Sequence, residues 1–126
     1  MKKIILGILA LLSGQVALAE GVESISVQQA AQMQLEQKAV IVDVRENDEW
    51  NAGHIAGAIH IPLGEIKNRA AELEQYKNSP LITQCRSGGR SATAADVLKT
   101  AGFNKLYNMD GGLNAWQKAD LKIQQN

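Results

Sequence analysis

The chain has 126 residues, with 13 basic and 13 acidic side chains and a single cysteine. That length suits one domain rather than two. The charge balance supplies no basic face for nucleic-acid phosphates, and a lone cysteine forms no internal disulfide.

The chain opens on Lys2 and Lys3, followed by an apolar run over residues 4–12, the helix-weakening Ser13 and Gly14, and the small-x-small site Ala17-Leu18-Ala19. Charged, then apolar, then cleavable is the layout of a bacterial-type secretory signal, which predicts a leader over residues 1–19 and a mature domain over 20–126. The apolar run is too short for a permanent membrane anchor. No cysteine stands near the cleavage point to take a lipid. The expectation is a periplasmic or secreted domain with no membrane attachment after cleavage, slightly acidic once Lys2 and Lys3 are gone. Structural cysteines in exported proteins normally come in pairs. An odd one is either an inert buried side chain or a reactive thiol, and its neighbours decide which.

Ser26 with Gln29 three residues on forms a capping box that opens a helix through residue 35. Residues 40–44, Val-Ile-Val-Asp-Val, read as a strand covered on both faces. Asn47 is placed to cap a short turn through Trp50, closed by Gly53. Residues 58–61 form a second strand. Residues 65–76 set Ile66, Ala70 and Leu73 on one helical face. Residues 81–84, Leu-Ile-Thr-Gln, are a third strand, residues 91–100 an Ala-rich helix stopped at Gly102, and residues 105–108 a weaker strand. A last helix over 113–118 follows Gly111-Gly112. Alternating strands and helices predict an α/β domain whose mostly parallel sheet carries helices on both faces.

The chemistry concentrates in Cys85-Arg86-Ser87-Gly88-Gly89-Arg90-Ser91. Cys85 stands where an apolar strand ends, just before a helix, which is where open parallel sheets bind ligands. A tight turn there aims backbone N–H groups and a helix N-terminus at one point and holds an anion. The natural anion is the Cys85 thiolate, favoured by those amides and by Arg86 and Arg90. Gly88 and Gly89 are expected to adopt positive φ and let the backbone curl round the sulfur. Singly, each feature has a plain explanation: a small buried hydrophobe, a turn, solvated arginines. Their convergence within six residues favours a reactive thiolate. Without a Cys-x-x-Cys pair, dithiol exchange is excluded. An amide-stabilised thiolate needs neither His54 nor His60 as a base.

Asp43-Val44-Arg45, Glu49-Trp50 and residues 53–62 (Gly-His-Ile-Ala-Gly-Ala-Ile-His-Ile-Pro), then the loop from Cys85 to Arg90, then Gly111-Gly112 with Trp116, resemble in order the signatures of the rhodanese family. The resemblance spans most of the mature chain. It implies a five-stranded parallel sheet between helices and a thiosulfate sulfurtransferase activity. Cys85 would take the outer sulfur of thiosulfate or a similar donor as a persulfide. A thiophilic acceptor, either cyanide or a thiol, including one carried on a protein, would then remove it. The backbone amides of Arg86, Ser87, Gly88, Gly89 and Arg90 would hold the charge, and the guanidinium groups of Arg86 and Arg90 are candidates for the anionic donor. No metal or other cofactor is called for. The first signature reads as scaffold: Asp43 to steady the loop, Arg45 and Glu49 to pair, His54 to hydrogen-bond, Gly53 and Gly57 for backbone geometry, Trp50 and Trp116 as core or rim. The absence of the partner domain that walls many rhodaneses predicts an open cysteine loop. Two rivals remain. One is a phosphatase or arsenate reductase, whose longer loop would need an arginine at the position of Ser91. The other is a non-catalytic persulfide carrier or partner-binding module.

Overall fold

The protein is described from a computed structural model that covers residues 18–36 and 39–125. Most of the expected leader, residues 1–17, lies outside these residues. Five strands, β1 (Val22–Ile25), β2 (Val40–Asp43), β3 (Ile59–His60), β4 (Leu81–Gln84) and β5 (Leu106–Met109), form one parallel sheet in the order β1-β5-β4-β2-β3. Helices α1 (Val27–Glu36), α2 (Asn47–Ala52), α3 (Leu63–Arg69) and α4 (Gly89–Thr100) connect them, with a 3-10 segment over Ala70–Tyr76, and α5 (Gly112–Lys118) follows the last strand. This is the α/β architecture expected, with helices on both faces.

Side-chain alternation along the strands divides the core in two. On one face Val42, Leu81, Cys85 and Leu106 pack with Ile66, Leu73, Ala94 and Leu98 from α3, the 3-10 segment and α4. On the other, Ile25, Ile41, Ile82 and Met109 pack with Ala30 of α1 and with Leu113 and Trp116 of α5. Leu18 and Ala19 lie against the first cluster, and the Ala19 carbonyl accepts the Val22 N–H at 3.1 Å.

The strand that apolar runs did not reveal is β1. Only Val22 and Ile25 of its four residues are buried. It pairs on one side only, with β5, in the register Val22↔Leu106 to Ile25↔Met109. An edge strand with two anchors carries too little periodicity to stand out. The capping box at α1 is present, with the Gln29 N–H on Ser26 Oγ and the Ser26 N–H on Gln29 Oε1, both at 3.0 Å. At α2 the cap is Glu46 rather than Asn47: the Glu46 N–H donates to Glu49 Oε1 at 2.9 Å. The single helix expected over residues 65–76 changes winding at Ala70. From there the apolar residues Ala70, Leu73 and Tyr76 recur every third position, which the tighter 3-10 winding brings onto one side.

Strand order locates the site. From β2 the chain moves to β3 on one side, and from β4 to β5 on the other. The order therefore reverses between β2 and β4, which are paired from Val40↔Leu81 to Asp43↔Gln84. Beyond the carboxyl ends of two such strands a parallel sheet leaves a crevice. The segments that follow Asp43 and Gln84 form its walls.

Candidate active site

Cys85 follows β4 directly and is 1% exposed. The next turn is held from the opposite side by α5: the N–H groups of Leu113 and Asn114 donate to the carbonyls of Cys85 and Arg86 at 2.8 and 3.0 Å. Gln84 Nε2 adds a second bond to the Cys85 carbonyl at 3.0 Å. These contacts explain Gly112. A Cβ there would lie 2.5 Å from the Cys85 oxygen and from the Arg86 carbonyl, at a φ of +58°.

Gly88 has φ +119° and immediately precedes α4. Its N–H donates to Cys85 Sγ at 3.0 Å. Gly89 differs from the expectation: it is absent from the positive-φ glycines and already belongs to α4, which starts two residues earlier than the Ala-rich stretch suggests. One left-handed residue is enough to turn the chain, so the helix winds at once.

Burial pushes the Cys85 thiol up. The Ser91 hydroxyl, and then the backbone N–H groups of Ser91, Gly88 and Ser87, outweigh that and bring its pKa below the ordinary thiol value. Ser91 Oγ lies 3.4 Å from Sγ. The sequence places Ser91 at the end of the cysteine segment, at the start of a helix and where a phosphatase would carry arginine, but gives its hydroxyl no role at the sulfur. Asn108 of β5, which touches Ser91 Oγ at 2.6 Å, was missed as well. A signal for Ser91 existed in its place one turn into a helix that begins beside the thiol. Asn108 depends on strand pairing and had none.

The two arginines part ways. Arg90 donates two bonds to the Glu49 carboxylate, at 2.8 and 3.0 Å, a fork-to-fork pair that raises the Arg90 pKa. The same bonds, against some burial, hold the Glu49 carboxyl at about 2. Arg86 is 64% exposed at the side chain, with Nε 3.8 Å from Glu49. Arg86 is therefore the exposed guanidinium at the mouth, and it borders a cleft shared with Glu49, Leu113, Gln117 and Ile123. The rim residues Arg86, Ser87 and Gly89 are exposed while Cys85 itself is not. The open loop expected from the sequence is thus an open rim over a buried sulfur.

The first signature satisfies itself. Arg45 is 4% and Asp43 0% exposed. Arg45 binds both Asp43 oxygens, with Nη2 to Oδ2 at 2.7 Å, and also the carbonyls of Glu49 and Gly53. Arg45 thus meets the Glu49 backbone, while the Glu49 carboxylate is taken by Arg90. Trp50 stacks on the rings of both His54 and His60, with centroids 3.5 and 4.8 Å apart. His54 Nδ1 donates to the Trp50 carbonyl at 2.9 Å, and His60 Nε2 to the Arg45 carbonyl at 2.8 Å. Trp116 Nε1 donates to the Lys122 carbonyl at 2.9 Å. Among the described residues no group of three or more His, Cys, Asp or Glu side chains is placed to hold a metal, and no helix is long and apolar enough to cross a membrane.

Residues 26–119 match the family model of the rhodanese-like domain. The thiosulfate sulfurtransferase GlpE of Pseudomonas fluorescens is 40% identical over 89 residues, 69% of this chain and 78% of that protein. A Bacillus subtilis protein provisionally named a sulfur carrier, YrkF, is 45% identical over 76 residues, 60% of this chain but only 40% of its own length. The chain likewise spans 61% of the Bacillus subtilis protein YqhL, at 40% identity over 63% of this chain. Among solved structures, a rhodanese-related protein of Thermoplasma volcanium superposes with a TM-score of 0.74 at 27% identity, covering 82% of this chain and 99% of that one.

Proposed function

The chain belongs to the rhodanese-like family, and from that premise we propose that it is a thiosulfate sulfurtransferase that carries sulfane sulfur on Cys85. The observation that carries this reading is the sulfur itself: buried at the strand switch point, met by the Gly88 N–H at 3.0 Å and held below the ordinary thiol pKa. A thiolate so stabilised is nucleophilic without the help of a general base.

The Cys85 thiolate attacks the outer sulfur of thiosulfate. The new Sγ–S bond forms as the bond to the sulfonate sulfur breaks, and its electron pair leaves with sulfite. The persulfide anion stays beside the amides of Ser87 and Gly88, and Arg86, exposed at the rim, is placed to receive the donor's sulfonate. Cyanide or a thiolate takes the outer sulfur, and the electron pair of the Sγ–S bond returns to Cys85. The cycle is ping-pong, with each half balanced in charge. The identity to GlpE supports thiosulfate as the donor.

Mass spectrometry of the protein with and without thiosulfate tests this reading. One added sulfur on Cys85, discharged by cyanide, is expected. Cys85→Ser should carry none and should lose sulfurtransfer by roughly a thousandfold or more. A serine variant that still transfers sulfur overturns the assignment.

A second reading, a persulfide carrier that hands its sulfur to a partner protein, is favoured by the exposed rim of Arg86, Ser87 and Gly89. It predicts the same added sulfur, with discharge to a protein thiol faster than to cyanide. The phosphatase reading is disfavoured because the only arginine near its required place, Arg90, is committed to Glu49. For location, we propose export directed by residues 1–19. N-terminal sequencing of periplasmic protein should begin near Glu20, and a cytoplasmic chain starting at Met1 would refute it.

A further inference from the structure

A buried polar cluster lies beside Cys85. Alternation along the strand puts Thr83 and Cys85 on the same face of the sheet, and the register Thr83↔Asn108 sets Asn108 of β5 next to them. Ser91, in the first turn of α4, completes the group. Thr83 and Ser91 are 0% and Asn108 2% exposed. The Thr83 hydroxyl donates to the Ser91 carbonyl at 2.9 Å, which fixes the backbone of that turn.

The Ser91 hydroxyl carries one proton and meets three acceptors: Asn108 Oδ1 at 2.6 Å, the Gly88 carbonyl at 3.1 Å and Cys85 Sγ at 3.4 Å. A hydroxyl donates to one partner at a time while its lone pairs accept from others. Asn108 Nδ2 lies 3.4 Å from the Gly88 carbonyl, an arrangement that turns Oδ1 toward Ser91. In this geometry the Ser91 proton is directed to Asn108, and the Ser91 oxygen is available to accept the Cys85 S–H. The arrangement suits a thiol.

We propose that Ser91 and Asn108 form a two-position hydrogen-bond switch that follows the charge on Cys85, both acting as positioning residues. When the thiol loses its proton to solvent, Sγ becomes an acceptor only, and the Ser91 O–H turns to it. Two oxygens 2.6 Å apart are then left with no proton between them. The Asn108 amide answers by turning over, so that Nδ2 gives up its long 3.4 Å bond to the Gly88 carbonyl and donates to Ser91. No proton passes along the chain of bonds; the only one lost is the thiol's.

This deepens the sulfur-carrier reading and rests on it for the step in which the switch acts. In the persulfide the charge resides on the outer sulfur, and Sγ is a weak acceptor. When the acceptor takes that outer sulfur, the electron pair of the Sγ–S bond falls back on Sγ. The Ser91 hydroxyl is then in place to receive it. The switch therefore favours sulfur release, where Cys85 is the leaving group.

The charged groups on the elements round Cys85 are Arg86 and Arg90 of the loop and α4, Glu49 of α2, and the Asp43–Arg45 pair at the end of β2. All remain in place in the variants that test the proposal. The iodoacetamide alkylation rate of the full chain, followed against pH, reports the Cys85 thiolate. Ser91→Ala should raise its pKa by about one unit, the worth of one charge-assisted hydrogen bond. Asn108→Asp, whose carboxylate only accepts and so keeps the Ser91 proton away from sulfur, should raise it further. Ser91→Thr, which keeps the hydroxyl, should stay near the wild type, with circular dichroism confirming the fold of each. In single turnovers above all these pKa values, Ser91→Ala should slow discharge of preloaded persulfide to cyanide by about tenfold, with a smaller change in loading by thiosulfate. Unshifted alkylation profiles in both Ser91→Ala and Asn108→Asp, with sulfurtransfer intact, would overturn the switch alone. A wild type that takes up no sulfur would overturn the carrier reading while the pKa shifts stayed readable.

Discussion

Two loops leave the carboxyl ends of neighbouring strands, and their polar groups are used in opposite ways. After β2, Asp43 and Arg45 are buried and spend themselves on each other and on the carbonyls of Glu49 and Gly53. The two histidines of that segment are stacked on Trp50 and bonded to backbone. After β4, the donors converge on a single sulfur atom, and the rim residues stand in solvent. A buried ion pair whose hydrogen bonds are all met is a scaffold, since its charges have nothing left to offer a ligand. Donors gathered round one nucleophilic atom are a site. Both loops are polar and glycine-containing in sequence; what separates them is where the hydrogen bonds end.

The comparison breaks most sharply at Asp43. Asp43→Asn leaves the Arg45 charge buried without its counter-ion and should cost about 3–5 kcal/mol of stability, read by denaturant unfolding. Any loss of sulfurtransfer should track the loss of folded protein, because Asp43 does not touch the sulfur. A variant of full stability that is inactive would move Asp43 from scaffold to site.

A smaller effect sharpens the contrast inside the cysteine loop. Gly88, at φ +119°, should not tolerate a side chain: Gly88→Ala is expected to cost about 1–2 kcal/mol and to weaken the thiolate by moving the N–H that meets Sγ. Its neighbour has no positive φ, and a Cβ added there would meet nothing within 4 Å. Gly89→Ala should therefore be neutral or stabilise by up to about 1 kcal/mol. Equal penalties at the two glycines would contradict the turn geometry.

The smallest effect falls where the two loops meet, at Glu49 and Arg90. The Glu49 carboxyl is held at about 2, first by its hydrogen bond to Arg90. A depressed carboxyl contributes stability that is present above its unfolded pKa and lost as pH falls through the folded value. Glu49→Gln should cost about 0.5–1 kcal/mol near neutral pH, and the gap to the wild type should close as pH falls from the usual carboxylate range toward about 2. A gap that persists at that acidity would mean the carboxylate contributes little through its charge.

The sequence was enough for the alternation of strands and helices, the capping box at Ser26 and the cysteine loop, because each is written in residues close together in the chain. Local signals also located the ends of β4 and α5 to within a residue. They misjudged Gly89, because a Gly-Gly pair does not say which of the two takes the left-handed turn. They missed β1, whose two buried residues acquire meaning only beside β5.

Tertiary structure decided what each charged or polar side chain does. Arg90 stands five residues after Cys85 yet is bound to Glu49, 41 positions away in the chain. Asn108 reaches the site only through the register of β4 on β5. Hydrophobic periodicity is a property of neighbours along the chain, whereas a hydrogen bond is satisfied by whichever partner the packed sheet brings within about 3 Å. The cysteine and its loop are therefore legible in the sequence, and the circle of partners round the sulfur comes from the fold.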